Sequence, residues 1–295
     1  MTVLTNEQRL ARQSRLLVLP AVVLLVAFVL YPAGTAIWLS LTNTALNGVA
    51  ALHPRFVGLA NFNRLLNDGD FWNSLWVTLI FVLGSSVIGQ FVFGLFSALA
   101  LSRPIAFRQF FTAAIMLPNA VPEVVAGFIW ISMLSGGERS TLSHLVGLVG
   151  IPSQEWLQTM PLFMIVMVNT WRGIAFAMIL MTSGLTAVPS EVYEAARIDG
   201  ATEQQIFWRI TLPLLRPTIF LYMLVSTVGT IAIFGLVYAL TRGGPGNATE
   251  IIAIHIYNQS FVAYQLGYGS AVAVIMLGVS MVLGLLYVRV LKVQV

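Results

Sequence analysis

The chain has 295 residues, 58% of them hydrophobic and only 9% charged, a balance far too apolar for a soluble domain of average composition. Cysteine is absent, which excludes a disulfide framework and any thiolate metal site. The formal charge of +4 at pH 7 comes from fifteen basic residues, all arginine except Lys292, and their placement along the chain says more than their sum.

About 20 apolar residues cross a hydrocarbon core as a helix, and six segments are long enough: Leu16 to Leu41, Ser74 to Leu101, Phe110 to Leu134, Met160 to Val188, Leu214 to Leu240 and Ser270 to Leu291. The fold class predicted is therefore all-α, a polytopic membrane protein with six transmembrane helices. Pro20, Pro32, Pro118 and Pro122 are expected to bend their helices, which neighbouring helices and waters can tolerate by satisfying the freed carbonyls. The first segment has the basic flank and apolar run of a signal peptide, but its apolar character continues past Trp38, and it is read as an uncleaved helix.

One set of loops holds Arg9, Arg12, Arg15, Arg103, Arg108, Arg197, Arg209, Arg216, Arg289 and Lys292; the opposite set holds only Arg55, Arg64, Arg139 and Arg242. The excess of positive charge on cytoplasmic loops places both termini, and the loop after the fourth segment, in the cytoplasm. The segments 42 to 73 and 241 to 269 are then outside, and Thr241-Arg242-Gly243-Gly244-Pro245-Gly246-Asn247-Ala248-Thr249 reads as a tight turn.

The loop after the fourth segment is unusually polar for this chain, with Glu191, Glu194, Asp199 and Glu203 close together. Pro189 stops the preceding helix, and Ser190 is placed to cap a new one whose first turn carries acids near the positive end of its dipole. Gly200 is suited to a left-handed helix end that a side chain would disfavour. Thr202 and Gln205 have the spacing of a capping box for a second short helix running into Pro213. The expected shape is helix, glycine corner, helix, outside the bilayer.

Glu194-Ala195-Ala196, then Gly200, then Ile210 and Leu212-Pro213, occupy every fixed position of a pattern that resembles the E-A-A-x3-G-x9-I-x-L-P loop of the membrane subunits of ABC-type importers. Phe56-Val57-Gly58-Leu59-Ala60-Asn61-Phe62 and Phe71-Trp72-Asn73-Ser74-Leu75 are similar to stretches before the second helix of carbohydrate-type ABC permeases. The Thr241-to-Thr249 turn looks like the T-x-G-G-P-x-x-x-T signature of one permease type in sugar and glycerol-phosphate importers. The resemblance covers residues 16 to 291. It implies a type I ABC importer permease fold with a cytoplasmic tail at 1–15, a six-helix permease domain at 16–291, a coupling loop at 189–213, and a cytoplasmic tail at 292–295.

Enzyme chemistry finds little footing. A P-loop needs a Gly-Lys pair before Ser or Thr, and the only lysine follows Leu291. Leu134-Ser135-Gly136-Gly137-Glu138 looks like the L-S-G-G-Q signature of ABC ATPases, but it falls at the outer end of the third segment, away from cytoplasmic nucleotide, and is a coincidence. His53, His144 and His255 lack paired-ligand spacing, and there is no G-x-S-x-G element.

Ionisable residues inside a membrane are costly and usually face a cavity or a partner. Counted along straight helices at about 1.5 Å per residue, Glu123 and Arg172 both fall near the midplane. They could form a buried ion pair, line a polar passage, or do both. Asn119, Asn169, Phe176, Ser226 and Thr230 lie around them, and hydrogen-bonding groups with aromatic faces suit a neutral, hydroxyl-rich solute. The resemblance points to the same positions. In Leu117-Pro118-Asn119-Ala120-Val121-Pro122-Glu123 the third and seventh residues match positions that face the sugar in maltose-type members. In Asn169-Thr170-Trp171-Arg172-Gly173-Ile174-Ala175-Phe176 the first, fourth, fifth and eighth do likewise. Ser226 and Thr230 match polar contacts on the following helix. Glu123, Arg172 and Phe176 depart from the maltose pattern, so a sugar is implied but maltose is not.

What the resemblance implies for function is one membrane subunit of a binding-protein-dependent importer of an oligosaccharide or related carbohydrate, working by alternating access. Its partners would be a second, homologous permease, a cytoplasmic ABC ATPase dimer that binds ATP and magnesium, an extracytoplasmic solute-binding protein, the sugar and the bilayer, with no nucleic acid and no cofactor in this chain. Glu194, Ala195, Ala196, Asp199 and Gly200 would form the contact with the ATPase. Alternatives are a permease for glycerol-phosphate, amino acids or ions, and a secondary carrier, which would show an inverted repeat and no ATPase-docking loop.

Overall fold

The computed structural model describes residues 18–136, 140–150 and 152–291. The expected tail at 1–15 with Arg9, Arg12 and Arg15, the residues Gly137, Glu138 and Arg139, and the tail at 292–295 with Lys292 lie outside the described residues. Among the described residues the structure is helical, with a lone bridge between Thr42 and Phe56 and no named strand. Four helices are long and apolar enough to cross a membrane, and two bent pairs raise the number to six if each pair is one span. They are numbered in chain order: α1 Val18–Ser40, α2 Gly69–Ser102, the bent pair α3 Arg108–Ala120 and α4 Glu123–Leu134, α5 Pro161–Thr186, α6 Ser190–Ile198, the bent pair α7 Glu203–Leu214 and α8 Arg216–Ile231, then α9 Gly235–Leu240, α10 Ile252–Tyr257 and α11 Leu266–Leu291.

The chain divides into two compact units. One comprises residues up to Asn67 together with Ile256–Ile275; the other comprises Asp68–His255 together with Met276 onward. In the first unit, α1 accommodates Pro32 without breaking. A proline has no N–H and crowds the carbonyl four residues back, and the wider π turn at Val26–Leu30 absorbs this directly before it. The end of α1 is capped from a distance: Asn61 Nδ2 donates to the Ser40 carbonyl at 2.7 Å and to the Thr42 carbonyl at 2.8 Å. These carbonyls have no intrahelical partner, which gives a structural reason for an asparagine in the Phe56-to-Phe62 stretch. Trp38 stacks on Phe56 with ring centres 5.9 Å apart, and the Arg64 guanidinium lies 4.3 Å from the centre of the Tyr268 ring.

In the second unit, α2 begins five residues ahead of the expected Ser74, because Asp68 caps it by accepting from the Asp70 N–H at 2.9 Å. Its middle, Val82–Gln90, is a π-helix. Residues three or four apart share a face of an α-helix, but i→i+5 bonding brings residues five apart into line. Gly84 and Gly89 accordingly share a seam that Gly94 continues in the α-helical stretch beyond it, and a Cβ on each would meet Val166, Thr170 and Ala177 of α5 respectively. Small residues let membrane helices approach closely enough for dispersion contacts to hold them. Below this seam Leu95, Ala98, Leu101, Ala177, Met178, Met181, Leu215 and Tyr222 form a buried cluster; a second cluster joins Val77 and Phe81 to Ala126, Met164, Ile165, Val168 and Leu236.

The third expected span is not straight. Val121 is extended ahead of Pro122, as a residue before proline prefers, and α3 and α4 meet at 105°. The fifth expected span also breaks, after Ile231, before resuming as α9 at Gly235. The second break lies beside the buried Ile231 and Ile233, whereas at the first Asn119, Ala120 and Pro122 are exposed and Val121 and Glu123 are partly buried.

Candidate functional site

At the centre of the second unit a set of polar side chains joins α2, α5 and α8. Gln90, at the end of the π segment, is buried; its Nε2 donates to the Asn169 carbonyl at 2.9 Å, and its Oε1 accepts from Ser226 Oγ at 3.1 Å and more weakly from the Tyr222 hydroxyl at 3.4 Å. Tyr222 also donates to the Ser86 carbonyl at 2.8 Å, and the Ser86 and Ser226 hydroxyls are 2.7 Å apart. Asn169 Nδ2 donates to Ser85 Oγ at 2.8 Å. Gly173 belongs to this arrangement, because a Cβ there would fall inside the Gln90 side chain. The π register is what allows Ser85, Ser86 and Gln90 to work together, since Ser85 and Gln90 would diverge around an α-helix. Gln90, Ser85, Ser86 and Tyr222 escaped the sequence reading. The signal was the five-residue glycine spacing, which reveals the altered register.

Asn169, Gly173 and Ser226 thus point toward α2, and Thr230 is buried on α8. Asn119 is exposed on the last turn of α3. Glu123 opens α4, where the positive end of the helix dipole favours its negative charge. Counting depth along a straight third helix therefore fails, yet the break brings the carboxylate to α5: Arg172 Nη1 lies 3.3 Å from Glu123 Oε1, with side chains 20% and 33% exposed. The room for this carboxylate comes partly from Gly235 at the start of α9, where a Cβ would lie 3.3 Å from Glu123 Oε2. The contact is single rather than bidentate, and Arg172 Nε is buried with no hydrogen-bond partner among the described residues. Phe176 follows Arg172 by one turn, half-buried, with its ring centre 6.1 Å from that of Tyr222. The geometry offers a paired cation and anion, unused N–H capacity on the arginine, and an aromatic ring on the next turn.

The polar loop has the expected helix, corner, helix form, with one difference. Ser190 is the first residue of α6 and makes no capping bond; Pro189, extended, precedes the helix instead. Gly200 has φ +80°, and the corner is closed by Gly200 N–H to the Arg197 carbonyl at 3.1 Å and Ala201 N–H to the Ala196 carbonyl at 2.9 Å. Both bonds belong to a left-handed glycine cap. The Thr202–Gln205 capping box is complete: the Gln205 N–H donates to Thr202 Oγ1 at 3.3 Å, and Gln205 Oε1 accepts from the Thr202 N–H at 2.9 Å. Arg197 Nε holds Glu203 Oε1 at 3.0 Å across the corner, and Arg103 lies 3.9 Å from the same carboxylate. Ala196 is buried, whereas Glu194, Ala195, Asp199 and Gly200 are exposed, together with Ile198, which is 86% exposed. A pinned corner therefore presents an apolar tip with acids beside it. A cavity of ≈ 970 Å³ separates α6 and α7 from the end of α2.

At the other end of the unit, Thr249 Oγ1 donates to Thr241 Oγ1 at 2.6 Å and lies 2.7 Å from the Gly244 carbonyl, which accounts for both threonines of the turn. Asn73 Nδ2 donates to the Asn247 carbonyl at 3.0 Å. The Phe71-to-Leu75 stretch and the glycine-proline turn are therefore one folded piece.

Residues 90–292 match the family model described as "Binding-protein-dependent transport system inner membrane component". The chain is 35% identical over 266 residues to the sn-glycerol-3-phosphate transport system permease protein UgpA of Agrobacterium fabrum, covering 89% of this chain and 88% of that protein. It is 31% identical over 269 residues to the trehalose/maltose transport system permease protein MalF of Thermococcus litoralis, covering 90% and 89%. In fold it is similar to a chain of a bacterial ABC transporter involved in the import of the acidic polysaccharide alginate, with TM-score 0.79, 21% identity, and 97% and 98% of the two chains covered.

Proposed function

Because this chain belongs to the family of binding-protein-dependent transport system inner membrane components, we propose that it is the permease subunit that carries a neutral carbohydrate inward across the cytoplasmic membrane. It pairs with a second, homologous permease, a cytoplasmic ABC ATPase dimer that binds and hydrolyses ATP, and an extracytoplasmic solute-binding protein. Both termini and the corner face the cytoplasm, in keeping with the basic-residue bias. Glu194, Ala195, Asp199, Gly200 and the exposed Ile198 seat in the ATPase, while Ala196 anchors the corner inward. Closure of the ATPase pair moves the corner as a rigid body, and the spans switch from inward-facing to outward-facing.

The solute passes Glu123, Arg172, Phe176 and Asn119, backed by Asn169, Gly173, Ser226 and Thr230. The observation that carries the choice of substrate is the pairing of Arg172 with Glu123. Together the two add no net charge, yet they keep donors and acceptors for hydroxyls, with Phe176 beside them for a sugar face. An anionic solute would meet the Glu123 carboxylate beside that arginine and so gain no net positive charge from the pair. A glycerol-phosphate reading draws on the 35% identity to UgpA and is tested by the same experiment. The complex, reconstituted in proteoliposomes with its binding protein, is offered labelled neutral disaccharides or labelled glycerol phosphate. Uptake of a neutral sugar is expected; uptake of glycerol phosphate alone would replace this reading with the other.

A further inference from the structure

Arg172 reaches Glu123 from a long helix that, by itself, could rotate about its axis. Its apolar residues pack into both buried clusters, and the polar contacts to its Asn169–Gly173 turn come from α2. Gln90 donates to the Asn169 carbonyl and sits on Gly173, so it grips the single turn of α5 that ends beside Arg172. Its carbonyl oxygen is held in turn by Ser226 and Tyr222 of α8, so the amide cannot flip without exchanging donors for acceptors at both ends. The absence of a side chain at Gly173 is what lets the amide reach the backbone, because any Cβ would displace it. We propose that Gln90 is a positioning residue: by pinning the Asn169–Gly173 turn it sets the rotation of α5 and so aims Arg172 at Glu123. The role assigned to Arg172 in solute passage rests on the reading above; the aim of the side chain is tested separately from it.

The chain has no cysteine of its own, so a single introduced thiol reports one position of this subunit. Arg172→Cys marks a partly exposed position of α5 and Ala175→Cys a fully buried one about 60° around the same helix. In the assembled complex, the rate of N-ethylmaleimide modification is compared at the two positions, with Gln90 present and with Gln90→Met, which keeps length and removes the amide. With Gln90, position 172 reacts and position 175 does not. Gln90→Met is expected to lower the 172-to-175 rate ratio at least fivefold, and Gly173→Ala to do the same by pushing Gln90 away, which covers the case in which Gln90→Met fails to assemble. An unchanged ratio, or a parallel rise at both positions, would show loosening or no effect and overturn the proposal. A shifted ratio, together with normal sugar uptake by Gln90→Met in a chain that keeps Arg172, upholds the positioning role and removes Arg172 from the solute path instead.

Discussion

Two parts of the same unit are held rigid by opposite means. In the interior, Gln90, Asn169, Tyr222 and Ser226 lock α2, α5 and α8 through side chains brought together from far apart in sequence. At the corner between α6 and α7, rigidity comes from neighbours along the chain: a left-handed glycine, a capping box and the Arg197–Glu203 pair. Inside a membrane each interhelical hydrogen bond adds only about 0.6 kcal/mol on average. Leaving a polar group unpaired there costs several kcal/mol, so the interior is kept in place mainly by the penalty for misalignment. Most residues of the corner are exposed in this chain, so a lost bond there can be replaced by water, and it depends on backbone conformation. The function proposed above would use both: a lever that does not flex and helices that hold their facing residues in register while they move.

The sharpest way to break this comparison is Arg172→Ala. It removes the cation proposed to line the path and leaves Glu123 without it, and sugar uptake is expected to fall at least about a hundredfold, equivalent to about 2.7 kcal/mol on the transport barrier. The ATPase should still co-purify, because the corner is untouched; normal uptake in proteoliposomes would refute the placement of the path. Next is Gly200→Val, which forces a branched side chain to φ +80° at a cost of roughly 1–2 kcal/mol or more. ATP hydrolysis and uptake are expected to uncouple, with uptake down about tenfold and binding of maltose-type or other test sugars to the binding protein unchanged. Coupling measured as normal would mean that the corner is not the lever.

Tyr222→Phe tests the interior more gently. It removes one hydroxyl and leaves the Ser86 carbonyl in its own helix, so a loss of about 0.6–1.7 kcal/mol is expected, read as a fall of a few degrees in the melting temperature of the detergent-solubilised complex. Glu203→Gln is the smallest. It weakens two exposed ion pairs, which contribute about 0–1 kcal/mol, and uptake should change less than about twofold. A larger fall in melting temperature from Glu203→Gln than from Tyr222→Phe would reverse the contrast between the two regions.

The corner was legible along the chain because its chemistry is local. Gly200, Thr202 and Gln205 announce a left-handed cap and a capping box by type and spacing, and both are present in the fold. Ser190 was misread as a cap because Pro189 already sets the extended backbone from which a helix can start. Ile198 was passed over, since one apolar residue in a loop helix does not reveal which way it points until Ala196 is seen to turn inward.

The apolar runs settled the helical class and the approximate number of spans, because length and hydropathy are properties of a segment taken alone. They also marked Glu123 and Arg172 as residues too costly to lie in hydrocarbon without company. Only the tertiary structure decided that Pro122 turns the chain through 105°, that the two charges meet at 3.3 Å, and that Asn169 and Gly173 serve the grip of Gln90. A bend angle and a contact between helices depend on which surfaces pack together, and that choice is made by the whole unit at once.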